Sequence, residues 1–158
     1  MDITVYDKLY EALKVDLEKF NAKSGFNAQI CTYAPDKPKY PLIIFSEVRN
    51  QPNNYFYGGR EKVSSLGYRV DIFAKTAPVT TTVTTKGAKP KTVKPAVNKQ
   101  QTCRELMQFV TDFMENKMGF ELISNNYNDS AGTQGELYQQ MLVFQQNYYE
   151  NKEMFLRR

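Results

Sequence analysis

Pro41-Leu-Ile-Ile-Phe-Ser-Glu-Val48, Arg49-Asn-Gln-Pro-Asn-Asn-Tyr-Phe-Tyr-Gly-Gly-Arg-Glu61 and Lys62-Val-Ser-Ser-Leu-Gly-Tyr-Arg-Val-Asp-Ile-Phe-Ala-Lys75 run on without a break, and they decide the fold. The first piece reads as a buried strand. The second is a long polar turn with a Gly-Gly pair. The third alternates strictly. Leu66, Tyr68, Val70, Ile72 and Ala74 fall on one side of an extended chain; Gly67, Arg69, Asp71 and Phe73 fall on the other. One face of this sheet suits a core. The other is neither fully apolar nor fully polar.

The flanking segments supply the rest of an α+β domain. Asp2 can cap a first helix whose apolar stripe is Ile3, Tyr6, Leu9, Tyr10, Leu13, Leu17 and Phe20, stopped at Gly25. Asn27 to Tyr33 reads as a short strand, and a proline-punctuated connection follows it. Thr102 and Glu105 have the spacing of a capping box that opens a second helix. Cys103, Leu106, Met107, Phe109, Val110, Phe113 and Met114 form its apolar face, and Gly119 ends it. Phe120 to Tyr127 reads as a strand and 128–135 as a loop. The last long strand is Glu136 to Tyr149, with Leu137, Met141 and Val143 opposite Tyr138, Leu142, Phe144 and Tyr148. The predicted order is α-β-β-β-(arm)-α-β-β. It forms a mixed, mainly antiparallel sheet with both helices on one face.

The chain has 158 residues, enough for one domain with a real core. Its net charge of +4 is local: residues 76–101 carry Lys86, Lys89, Lys91, Lys94 and Lys99 and no acid, which leaves −1 for the remainder. This Thr-, Lys- and Pro-rich segment has no aromatic residue and little to bury. It reads as an extended arm or loose hairpin inserted between the long strand and the second helix. The longest apolar run, Leu42 to Phe45, is far too short to cross a bilayer, and the N-terminus lacks the pattern of a secretory signal. Cys31 and Cys103 read as two free thiols in a reducing compartment.

The chemistry expected of an enzyme is missing. There is no histidine, which removes the commonest general base and metal ligand. The two cysteines are not paired at metal-binding spacing. Gly58-Gly59 is followed by Arg-Glu, unlike a phosphate-binding loop. Asp71, with Arg69 two residues away on the same side, reads as a structural ion pair. No catalytic residue, cofactor or metal is expected.

The residues point to contact instead. Tyr55, Phe56 and Tyr57 stand in a row beside Gly58-Gly59 and Arg60, the kind of aromatic cluster favoured at interfaces. Two strands of about 40 Å outrun an ordinary core, leaving Phe73, Tyr148 and Tyr149 for a neighbouring subunit to cover. Lys86, Lys89, Lys91 and Lys94 offer an acidic partner a salt-sensitive attraction.

In these pieces the chain resembles the tail terminator (tail-completion) proteins of tailed bacteriophages. The likeness rests on the opening helix and strand, Pro41-Leu-Ile-Ile-Phe-Ser-Glu47, the loop to Gly58-Gly59-Arg-Glu61, Leu66-Gly-Tyr-Arg-Val-Asp-Ile-Phe73 and the closing helix, strand and long strand. The basic arm departs from that pattern. The resemblance implies a non-enzymatic subunit of a ring, usually a hexamer, in the neck of the virion and assembled in the host cytoplasm. Such a ring caps the tail tube protein on one side and meets a head-completion or stopper protein on the other, with DNA passing through the hole. Another neck component, a stopper or adaptor beneath the portal, is the near alternative. A nucleic-acid-binding module using the basic arm is the distant one. A gel shift with short duplex DNA at about 50 and 200 mM salt separates that last reading, because counterion release predicts a steep loss of a nucleic-acid module's binding with salt.

Overall fold

The computed structural model describes residues 4–57, 61–75, 98–132 and 134–149, with side chains described for 5–49, 65–75, 98–132 and 134–146. Helix α1 (Thr4–Ser24) leads through β1 (Gln29–Cys31) into the long strands β2 (Leu42–Tyr57) and β3 (Glu61–Lys75). Helix α2 (Lys99–Thr111) continues as a π-helical segment (Asp112–Lys117), and β4 (Glu121–Ala131) and β5 (Leu137–Tyr149) follow. The five strands form one sheet in the order β1-β2-β3-β5-β4. Only β1 and β2 are parallel; every other pair is antiparallel. This is the expected α+β class, with a mixed, mainly antiparallel sheet.

The alternation in β3 does what the sequence suggested. Leu66, Tyr68, Val70, Ile72 and Ala74 are all buried. Opposite them on the same face stand Ile43 and Phe45 of β2 and Tyr138, Leu142 and Phe144 of β5. Both helices pack on this face. Val5, Leu9, Leu13 and Leu17, spaced by four, put one side of α1 into the core, and Cys103, Leu106 and Val110 do so for α2.

Aromatic contacts fix where α1 lies. Tyr6 stacks on Phe45 at 5.3 Å, and Phe45 on Tyr68 at 5.3 Å, while Phe120 meets Tyr68 edge-on at 5.5 Å. The Tyr6 hydroxyl donates to the Phe45 carbonyl and that of Tyr10 to Ile30 at 3.2 Å. Phe20 stacks on Phe109 at 4.7 Å, joining the two helices. At the end of α1, Gly25 takes the left-handed conformation (φ 78°) and donates to Asn21. The Asn21 amide then exchanges two hydrogen bonds with the backbone of Ala28, at 3.0 and 3.1 Å, which sets the entry to β1.

Several element ends differ from expectation. Helix α2 begins at Lys99, not at Thr102. Asn98 caps it by accepting from Gln100 N–H at 2.9 Å, and Thr102 bends its hydroxyl back to the Asn98 carbonyl. Residues 98–101, expected in the arm, are therefore cap and first turn; 76–97 lie outside the described residues. The π-helical segment was not foreseen. It buries Phe113 and Met114 and closes on Gly119 (φ 74°), with Phe120 N–H reaching the Met114 carbonyl at 2.8 Å. Strand β1 is only three residues long. Strand β4 runs on to Ala131, absorbing the first half of the expected loop, because Asn128 still pairs with Gln139.

The two cysteines are free, Cys31 half-buried and Cys103 fully buried. The Cys103 thiol lies 3.7 Å from the Ile72 carbonyl and 3.6 Å from that of Tyr138. Burial pushes its pKa from 9.0 up to about 12. Burial also raises the hydroxyls of Tyr6, Tyr10 and Tyr138. Each group keeps its proton in the native state where the unfolded chain has released it, so stability falls as pH rises above the unfolded value. Urea unfolding between about pH 9 and 12 is expected to lose up to ~1.4 kcal/mol per pH unit through Cys103, and Cys103→Ala should flatten that slope.

Candidate functional site

The opposite face of the sheet carries the features that point to function. Register places Leu42, Phe73, Gln139 and Asn128 in one row across β2, β3, β5 and β4. Ile44, Asp71, Met141 and Asn126 form the next, and Ser46, Arg69, Val143 and Ser124 the third. Ile44, Phe73, Met141 and Val143 are half-buried, and none belongs to the helix-covered core. Among the described residues, no helix lies over this face. It is a mixed field, apolar at Leu42, Ile44, Phe73, Met141 and Val143, with a charged centre and polar residues toward β4.

That centre is the pair Arg69–Asp71. The guanidinium Nε lies 2.9 and 3.1 Å from the two carboxylate oxygens and Nη2 lies 3.0 Å from Oδ1. Gln139 Nε2 donates to the same carboxylate at 3.1 Å. Asp71 is nearly shielded from water, with 11% of its side chain exposed, while Arg69 retains 42%. A bidentate pair with a third donor holds both side chains in one geometry. Such a pair adds little to stability, but a partner surface can be oriented by it. With its oxygens engaged, Asp71 is a structural ion pair, as the sequence suggested.

Beyond the core the sheet continues as a ribbon. β3 and β5 stay paired from Lys75↔Leu137 to Val63↔Tyr149 with no register shift. β2 has shifts at Glu47/Arg49 and Asn53/Tyr57 but follows β3 to Tyr57↔Glu61. β1 pairs only with Leu42–Ile44, so among the described residues the rest of β2 is an edge. β4 forms the other edge, where Ile123 and Tyr127 are exposed; Tyr127 stacks on Tyr138 at 6.0 Å.

The contact residues read from the sequence fare differently. Phe73 sits on the open face between Leu42 and Gln139. Tyr55, Phe56 and Tyr57 are not in a loop: β2 carries them on to Tyr57, because Asn50 to Asn53 pair with Leu66 to Val63 and extend the hairpin. Tyr148 and Tyr149 pair with Ser64 and Val63. The side chains of these five residues, like Arg60, Lys86, Lys89, Lys91 and Lys94, lie outside the described residues. Lys99, the fifth arm lysine, instead begins α2 and donates to the Asp129 carbonyl at 3.3 Å. Sequence reasoning did not single out Ile44 or Gln139. Their signal was register, which alternation in one strand does not reveal.

Among the described residues, no group of three or more His, Cys, Asp or Glu is placed to hold a metal, and no helix is long and apolar enough to cross a membrane. No protein-family model and no curated protein matches the chain.

Gly67 closes the open face at its ribbon end. It lies opposite the β2 bulge, and a Cβ there would stand 3.2 Å from Arg49 Cβ. Gly67→Val is expected to cost about 1–3 kcal/mol by overpacking, read as a lower urea midpoint with the secondary structure retained.

Proposed function

We propose that this chain is the repeating subunit of a closed protein ring at a bacteriophage head–tail junction, a tail terminator that works by geometry and performs no bond-making step. The observation that carries the reading is the open sheet face. Its half-buried apolar side chains surround a fixed ion pair and stand back to back with a fully packed core. A surface of this kind is suited to a protein partner. The long β2–β3–β5 ribbon adds reach beyond the core for a neighbour to grasp.

A ring follows from the type of contact. If the open face of one copy meets a different surface of the next, the contact is heterologous, and only a rotation that closes avoids an endless filament. The fold class agrees with what the resemblance implied. On this reading one side of the ring binds the tail tube protein, the other the head-completion or stopper protein, and DNA passes through without sequence-specific contacts. The protein then belongs to the virion neck and needs neither cofactor nor metal. The lack of histidine supports the non-enzymatic part of the reading, as does the engagement of Asp71 in a structural pair.

Light scattering on purified full-length protein, with negative-stain imaging, tests this. The expected result is closed rings of six copies, and Phe73→Asp is expected to yield folded monomers with unchanged circular dichroism. A strictly monomeric wild type at every concentration, or turnover of a substrate, overturns it.

A further inference from the structure

A second surface lies on the outer flank of α1, away from the open sheet face. Asp7, Glu11, Val15, Lys19 and Lys23 follow one another at intervals of four, and all are exposed. Residues so spaced form a single ridge along a helix. Asp7, Glu11, Val15 and Lys19 each stand two residues past a member of the buried stripe Val5, Leu9, Leu13 and Leu17, about 200° further round the helix. The ridge is therefore the outward side of α1. At its centre is Val15, 48% exposed, with Ala12, Phe113 and Met118 lining the hollow beside it.

The charges on this ridge are ordered in a way that the lone helix does not need. Asp7 and Lys23 suit the helix dipole at its two ends. Glu11 and Lys19 lie too far inside the helix for that effect. Asp7 with Glu11, and Lys19 with Lys23, put like charges four residues apart, which is unfavourable on an isolated helix. Among the described residues none of these four forms an ion pair; the pairs formed are Arg69–Asp71 and Lys117–Asp16.

Reversing the helix about Val15 turns this order into a match. Asp7 then meets Lys23, Glu11 meets Lys19, and Val15 meets its own counterpart. The remaining charges of α1 agree. Lys14 comes level with Asp16, which Lys117 already holds, and Lys8 and Glu18 come level with Ala22 and Ala12. No charge meets its own sign.

We propose that α1 pairs with α1 of a second copy, antiparallel about a twofold axis at Val15, with Glu11 of each copy against Lys19 of the other and Asp7 against Lys23. A twofold contact must be self-complementary, and the ridge meets that demand with acids before its centre, bases after it and an apolar residue between. Val15 supplies the apolar contact. The charges set the direction, since a parallel pair would place every one of them against its own sign. One helix per copy is small beside a standard interface of about 1,600 Å², so the pair is weak and exchanging. It uses no residue of the open sheet face and does not depend on the ring.

Disulfide trapping in the full-length protein tests this. In a Cys31→Ser background, Val15→Cys is expected to give a covalent dimer under mild oxidation, several times faster than Glu18→Cys. Position 18 is also exposed, but its two copies lie about 9 Å apart along the paired helices. Glu11→Lys is expected to slow trapping at position 15 about tenfold, since like charges then meet twice, and adding Lys19→Glu restores it. Equal rates at positions 15 and 18 overturn the proposal. So do the absence of a dimer, a rate indifferent to Glu11→Lys, and a slowed rate that Lys19→Glu fails to restore. Rings of six in which Val15→Cys does not cross-link remove this contact and leave the ring; cross-linked dimers without rings support this contact and remove the ring.

Discussion

A sheet has two faces, and among the described residues of this chain both helices pack on one of them. Everything else in the structure depends on that imbalance. α1 is pressed onto Phe45 and Tyr68 by Tyr6 and joined to α2 through Phe20 and Phe109. The result is a well-filled interior, with Tyr68, Phe45 and Phe144 among its largest fully buried side chains. The other face keeps Ile44, Phe73, Met141 and Val143 only partly buried. Apolar area left in water forgoes about 25 cal/mol for each Å². An interface of standard size buries on the order of 1,600 Å² in total, so a partner that covers this field has a substantial term to gain.

The ion pair on that face carries a different consequence. Arg69 and Asp71 are locked together and backed by Gln139. A lone buried carboxylate would resist docking, since desolvating it costs several kcal/mol. Paired in advance, it presents a partner with a charge already neutralised and a part-exposed guanidinium edge that can still donate a hydrogen bond to a partner's oxygen. On the proposed reading, apolar contact would provide the attraction and the fixed pair would restrict the orientation. Both are properties of register, because only the pairing of β3 with β5 brings Gln139 to Asp71.

Much of this was legible in the residues. The alternation from Leu66 to Ala74 decided which face is the core, and the stripes of α1 and α2 required a common surface. The length of β2 was hidden. Asn50 to Asn54 with Pro52 has turn chemistry, yet the hairpin extends through it since β3 offers partners as far as Val63. Pro52 lies where β2 is an edge strand, the place where a sheet accepts proline. The start of α2 was misplaced for a local reason: Asn98 competes better for the first free N–H than Thr102, whose hydroxyl turns back on the chain. The apolar field was half visible, with Phe73, Met141 and Val143 set apart by period two. That they form one surface with Ile44 required the strand order, which is a long-range property.

Oxidation of Met141 by dilute peroxide across a concentration series tests the central claim most directly. Met141 lies in the middle row of the open face, beside Asp71, and is half-buried within the single chain. If this face is the contact between copies, Met141 is oxidised readily at nanomolar protein and becomes protected at micromolar protein, while buried Met114 stays protected throughout. Equal oxidation of Met141 at every concentration contradicts the account.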